Sequence, residues 1–248
     1  MIKNRTQNQG VKRILFVSDN RFLIEKIHDM VDVRTDMICT FVRTGGNVGS
    51  YMSCSTDMAS INIKTDYASL MGKYDLIFSI HCMQIFPAAL VSSVRCINVH
   101  PGYNPFNRGW YPQVFGIINN KPCGATIHEM DAELDHGGII AQREVEVLPW
   151  DNSRTVYDKV LATEIVLLKE NLDNIVNGNY SVYEPAIEGN VNTKKDYKEL
   201  CQFDLNEIIR VGDFINRLRA LSHPPYKNAY FITEDGIKVS VSIEMERV

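Results

Sequence analysis

The feature that most constrains this chain is a set of short apolar runs with no polar interruption. Ile14-Leu-Phe-Val17, entered from Arg13, offers hydrophobic side chains to both faces of a strand. A strand buried on both faces belongs in the middle of a parallel sheet. Tyr74–Ile80 (YDLIFSI) and Arg95–His100 (RCINVH) repeat the pattern, and Ile38–Val42 reads as a further strand. After the first run, Phe22, Leu23, Ile27, Met30 and Val31 recur at helical spacing behind Asn20, a residue suited to capping a helix N-terminus. Strands alternating with helical stretches imply β-α-β units and right-handed crossovers, hence an α/β fold with a mostly parallel sheet.

The texture changes after residue 100. Pro101–Pro112, rich in Gly, Pro, Asn and aromatics, reads as a long irregular loop, and such loops after strands usually carry function. Ala125–Glu129 and Ile139–Val147 read as strands joined by the acidic linker Met130–Gly138. Thr155–Val176 is a long amphipathic helix, with Thr155 and Asp158 as a capping pair and Gly178 as its stop. Tyr180–Tyr197 is polar and extended, Leu205–Leu221 suits a helix, and Ala229–Ile232 and Ile237–Met245 flank a hairpin turn at Glu234-Asp-Gly236. The expected organisation is a flexible tail over 1–10, a main domain over 11–180, and a small C-terminal helix and β-hairpin region over 181–248.

Composition excludes several classes of function. A net charge of −4 argues against generic nucleic-acid binding. Six cysteines show no C-x-x-C spacing, so neither a zinc knuckle nor a redox pair is written here. No apolar run approaches the roughly 18 residues of a membrane helix, and Met1–Gly10 lacks the apolar core of a signal peptide. A cytoplasmic protein without membrane or nucleic-acid partners is expected. Gly45–Ser50 is glycine-rich but lacks the Lys of a P-loop, His128-Glu129 does not extend to H-E-x-x-H, and no G-x-S-x-G occurs. His81-Cys82 leaves a cysteine nucleophile as an alternative.

The candidate chemistry lies at Asn98-Val-His100-Pro-Gly102. Positions i and i+2 of a strand share a face, so Asn98 and His100 project together at the carboxyl end of a buried strand, where α/β sheets bind ligands. Histidine exchanges protons near neutral pH, and an amide donor stabilises a developing oxyanion, an interaction typically worth about 3 kcal/mol. The competing reading is that both side chains satisfy backbone groups at a strand end. Asp135, ahead of Gly137-Gly138, would orient the imidazole if it lies beside it; otherwise it belongs to a solvated acidic loop with Asp131 and Glu133.

In this order, Asn98-Val-His100-Pro-Gly102, Gly124-Ala-Thr-Ile-His128-Glu-Met130 and Leu134-Asp135-His-Gly-Gly-Ile139 resemble the N10-formyltetrahydrofolate-dependent formyltransferases over roughly residues 11 to 180. The resemblance implies a Rossmann-like catalytic domain, catalytic Asn98, His100 and Asp135, folate as co-substrate and no metal. It places the folate near Ser79, His81, Met83, Ile85 and Phe86 and near Met130 and Asp131, with ordinary core packing as the alternative for the apolar members.

The stretches Tyr103–Tyr111, Gly189–Tyr197 and Arg217–Tyr230 resemble the sugar-nucleotide branch. They imply a dTDP-linked amino sugar as acceptor, with the 4-amino-4,6-dideoxyglucose nucleotide as its expected form and O-antigen sugar synthesis as its setting. Substrate contacts are then expected from Tyr103, Asn107, Arg108, Trp110, Tyr111, Lys195, Arg219, Tyr226, Asn228 and Tyr230. Arg108 or Arg219 would meet the diphosphate and Trp110, Tyr226 or Tyr230 the base, or each would serve packing or surface. The C-terminal hairpin is expected to join a homodimer interface. The alternatives are a 3-amino or UDP-linked sugar, methionyl-tRNA, or a non-catalytic folate- or nucleotide-binding module.

Overall fold

The structure, a computed structural model, describes residues 10–45 and 58–248. The expected tail, apart from Gly10, and most of the Gly45–Ser55 loop with Cys54 lie outside the described residues.

In chain order the strands of the first half are β1 (Lys12–Ser18), β2 (Met37–Arg43), β3 (Ala59–Ser60), β4 (Leu76–Ile80) and β5 (Arg95–His100). They are followed by β6 (Arg108–Gly109), β7 (Cys123–Glu129) and β8 (Ile139–Val145). The main sheet has seven strands in the order β3-β2-β1-β4-β5-β7-β8. β1 lies parallel to β2 and β4, and β4 to β5, whereas β7 runs antiparallel to β5. Ile14 to Val17 and Leu76 to Phe78 are fully buried, as uninterrupted apolar runs require. Phe16 stacks between Phe41 and Phe78, with centroids 5.1 and 5.0 Å away. Burying each such side chain stabilises by about 1.5–3 kcal/mol.

The helices are α1 (Arg21–Val31), α2 (Ile63–Asp66), α3 (Ala88–Ser93), α4 (Pro112–Asn119), α5 (Ser153–Asn177), α6 (Lys194–Cys201) and α7 (Val211–Leu221). Asn20 caps α1, its Oδ1 accepting from the Leu23 amide at 3.2 Å. The cap of α5 is Asn152 rather than the Thr155–Asp158 pair, because its Oδ1 accepts from the amides of Arg154 and Thr155. Thr155 sits one turn in and accepts from the Asn152 amide in return. Three helices depart from the sequence reading. α6 occupies part of the segment expected to be extended; its start is fixed by a capping box between Thr193 and Asp196, inside a stretch too polar to show an apolar stripe. α4 follows Tyr111, with Pro112 at its first position. α7 begins at Val211 rather than Leu205, since Asp204 accepts from the Asn206 amide and turns the chain first.

By contacts the chain divides into two compact units whose segments interleave. The first comprises residues up to His100 with Thr126–Gln142 and Glu164–Glu184; the second comprises Pro101–Ala125, Arg143–Thr163 and Pro185–Val248. Residues 185–248 therefore share their unit with 101–125 and 143–163, whereas 181–184 fall in the first. Its remaining strands are β9 (Val191–Asn192), β10 (Gln202–Phe203), β11 (Ser222–His223), β12 (Tyr226–Lys227), β13 (Ala229–Ile232) and β14 (Lys238–Val241). β10, β13 and β14 form one small sheet, and β13 and β14 are the arms of the expected hairpin, the second ending at Val241. Among the described residues no helix is long and apolar enough to cross a membrane.

Candidate active site

The register of β5 builds the site. Asn98 pairs with Ser79 of β4 on one side and with His128 of β7 on the other. Asn98, His100 and His128 are all buried, at 9%, 4% and 1% exposure, so their polar atoms must find partners inside the fold. Asn98 Nδ2 lies 3.0 Å from Asp135 Oδ1 and 3.2 Å from His128 Nε2. His128 Nδ1 lies 2.7 Å from the Glu129 carbonyl and must donate to it, which leaves Nε2 as the acceptor for Asn98. Both amide hydrogens of Asn98 are thereby committed. His100 Nδ1 lies 3.6 Å from Asp135 Oδ2, and the two imidazoles meet edge to face at 6.2 Å. The structure thus brings Asn98, His100 and Asp135 together and adds His128, which the sequence carries inside the Gly124–Met130 motif without marking it as a neighbour of Asn98.

The acidic loop is shaped by close backbone approach. Asp135 adopts φ 50. A Cβ on Gly137 would stand 2.1 Å from the Glu129 carbonyl oxygen, so only glycine lets the loop close on β7. Asp131 points to the loop itself, accepting from the Glu133 amide at 2.8 Å and meeting His136 Nδ1 at 3.1 Å. Met130 is half-buried against the core.

The turn after β4 carries the other residues assigned to folate. Ser79 is buried, whereas Met83 and Ile85 are 42% and 64% exposed at the carboxyl end of the sheet. Phe86 corrects the expectation of a pocket wall: it is 4% exposed and packs in the core with Leu90 and Ile77. His81 meets Glu164 of α5, whose side chain is 1% exposed. Cys82 is a poor nucleophile, because burial pushes its thiol up to about 12. Among the described residues no group of three or more His, Cys, Asp or Glu is placed to hold a metal ion.

All ten residues assigned to the sugar nucleotide fall in the second unit. Tyr111 stacks on Tyr197 at 3.9 Å between ring centroids, and Lys194 Nζ lies 3.8 Å over the Trp110 ring. Lys194 and Tyr197 were hidden in the stretch expected to be extended. Lys195, by contrast, is 84% exposed and within 3.7 Å of Glu199. Asn107 joins a knot of amides with Asn119, Asn190 and Asn192. Arg108 is buried and meets Glu188 at 2.5 Å. Arg219 corrects the expectation of a diphosphate ligand: it braces the fold, donating to the carbonyls of Leu148 and Asp151 and to Asn216. Asn228 donates to the Leu221 carbonyl, Tyr230 to Gln202, and Tyr103 closes a turn on the Phe106 amide. Tyr226 is 38% exposed.

Fold and site together define an α/β protein with histidine, amide and carboxylate side chains gathered at the carboxyl end of a central strand, groups able to exchange a proton and to donate to a developing negative charge. Residues 56–172 match the formyl transferase family, and 196–247 match the N-formyltransferase dimerization C-terminal domain. The dTDP-4-amino-4,6-dideoxyglucose formyltransferase of Mycobacterium tuberculosis is 51% identical over 179 residues, 72% of this chain and 76% of the relative. A 4-N formyltransferase from Francisella tularensis superposes with a TM-score of 0.88 at 43% identity, covering 96% of this chain and 99% of that one. A sugar N-formyltransferase from Shewanella sp FDAARGOS_354 gives 0.90 at 42% identity, with the same coverage. The chain belongs to the formyltransferase family, in its sugar N-formyltransferase branch.

Proposed function

We propose that the enzyme transfers a formyl group from N10-formyltetrahydrofolate to the 4-amino group of a dTDP-linked 4-amino-4,6-dideoxyhexose, with glucose stereochemistry, in the cytoplasm. The observation that carries this reading is the convergence of Asn98, His100 and Asp135 at the end of β5. The acceptor is inferred from the relatives' names and from the aromatic and cationic side chains of the second unit.

The exposed apolar side chains of Met83, Ile85 and Leu134 suit a flat heteroaromatic donor, and backbone groups of the same turns suit its polar edge. Bound there, N10-formyltetrahydrofolate would supply the activated formyl carbonyl. His100 takes the proton of the attacking amine and guides it toward the leaving nitrogen. As His100 becomes cationic, Asp135 turns to it and releases one hydrogen of Asn98, which then donates to the oxyanion. His128 holds the other hydrogen and keeps the amide plane fixed. Acceptance of the proton and stabilisation of the oxyanion are thus one linked event.

The test is incubation of the protein with dTDP-4-amino-4,6-dideoxyglucose and N10-formyltetrahydrofolate, read by mass spectrometry. A gain of one formyl group on the sugar nucleotide is expected; no gain across a panel of amino-sugar nucleotides would discard the reading. We also propose a homodimer built by the C-terminal region. Leu205, Ile208 and Val211 are 63%, 102% and 73% exposed, an apolar surface that a second copy would cover. Light scattering should give twice the chain mass, and a monomer would remove the dimer.

A further inference from the structure

Buried acids hold the turn that follows β4 from two sides. At its start His81 takes left-handed backbone, φ 51, a conformation that persists in a non-glycine residue only where the surroundings enforce it. The side chain of His81 meets Glu164, both of whose oxygens lie 2.9 Å from His81 Nε2. Desolvation pushes the Glu164 carboxyl above its ordinary value, while the charge and hydrogen bond of His81 oppose the shift. Two residues on, the Met83 amide donates to Asp19 Oδ2 at 2.9 Å. Asp19, just past β1, also accepts from the Thr44 amide at 2.8 Å and the Thr44 hydroxyl at 2.5 Å, just past β2. Gln84 adds a third tie, accepting from the Ile63 amide at 2.8 Å and donating to the Thr44 carbonyl at 3.1 Å.

Burying carboxylates is costly, and a turn that only reverses the chain is ordinarily closed by its own backbone or a short polar side chain. What these acids hold is a turn that leaves Met83 and Ile85 exposed past the end of β4, whose last residue, Ile80, pairs with Val99 next to His100. We propose that Asp19 and Glu164 are positioning residues that hold the His81–Ile85 turn as the fixed wall of the formyl-donor site. This rests on the reading that the donor lies against that turn. A wall ordered beforehand spares the donor the cost of ordering it on binding. Loosening a tie therefore weakens donor binding while chemistry at His100 continues.

The test varies donor and acceptor separately in steady-state kinetics, on variants that still melt in one cooperative transition. Asp19→Asn sets an amide group against the Met83 N–H. Glu164→Ala removes the partner of His81, and Glu164→Gln keeps one acceptor oxygen for it. Asp19→Asn and Glu164→Ala should each raise the donor KM by roughly tenfold, with kcat and acceptor KM nearly unchanged. Glu164→Gln should recover most of the donor affinity that Glu164→Ala loses. Gln84→Ala leaves no buried charge behind and carries the test if the acid variants do not fold; its donor KM should rise as well. A wild-type donor KM in the folded variants, or equal rises in both KM values, overturns the proposal while formyl transfer by the wild-type protein stands. Absence of formyl transfer by the wild-type protein sinks the functional reading and this one with it.

Discussion

The two units differ in how they present the groups suited to a ligand. In the first, the polar groups are buried and hydrogen-bonded inside the fold: Asp19, Asn98, His100, His128 and Glu164 are all under a tenth exposed. In the second, the groups suited to a ligand are half-buried aromatics and an exposed cation, as in Trp110 with Lys194 and Tyr111 with Tyr197. The first arrangement fixes atoms to fractions of an ångström before any ligand arrives, as chemistry requires. The second offers area and polarisable faces, as recognition requires. Substitutions at the Asn98, His100 and Asp135 centre of the first unit should therefore act on kcat, and those at the aromatic and cationic groups of the second on KM for the acceptor.

The largest contrast is between His100→Ala and Trp110→Ala. Loss of the imidazole should lower kcat by about 10²–10⁴-fold while leaving substrate affinities close to wild type. Loss of the indole should leave kcat in place and raise the acceptor KM by up to about tenfold, the usual worth of an aromatic contact. Wild-type turnover in His100→Ala, or a kcat collapse in Trp110→Ala, breaks the division. A sharper version uses one methyl group in each unit. Gly137→Ala places a Cβ 2.1 Å from the Glu129 carbonyl oxygen, and Gly189→Ala places one 2.0 Å from that of Pro105. Neither obstacle is a flexible side chain. Gly137→Ala should displace Asp135 and lower kcat by about 10²-fold, the cost of roughly an ångström of misplacement. Gly189→Ala should raise the acceptor KM and spare kcat; stopped turnover there would show that the units are not separable in function.

The same contrast governs what the sequence reveals. Six of the seven strands of the main sheet and the face shared by Asn98 and His100 follow from local pattern, because buried strands have a distinctive composition and a strand has period two. Asp135 was identifiable by motif, but its contact with Asn98 depends on loop closure over Gly137, which no periodicity encodes. His128 was missed because its partner is a cross-strand neighbour 30 residues away. Glu164 read as one polar position on an amphipathic helix, with nothing local to mark it as buried beside His81. In the second unit the polar α6 showed no stripe, so Lys194 and Tyr197 were read as extended chain. Arg219 was assigned to a phosphate because sequence shows its charge and not the carbonyls that occupy it.

The smallest effect is the opposite response to acid of His223 in the second unit and Glu164 in the first. In the second unit burial holds His223 below the ordinary histidine value, aided by the charge of Arg154. Asp151 is also depressed, since Lys159, the Leu148 amide and the Thr155 hydroxyl together outweigh its desolvation. A depressed group contributes stability that is complete above its unfolded value and is lost as pH falls through the folded one. Glu164 in the first unit is raised, so its contribution has the opposite sign: complete at low pH and lost as pH rises through the folded value. The melting temperature should therefore begin to fall below a pH of about 6.5, where an unfolded histidine takes up its proton. His223→Gln should flatten that limb, and Glu164→Gln should leave it intact. A limb of unchanged slope in His223→Gln would mean that the acid sensitivity originates elsewhere, and the electrostatic half of the comparison between the units would be lost.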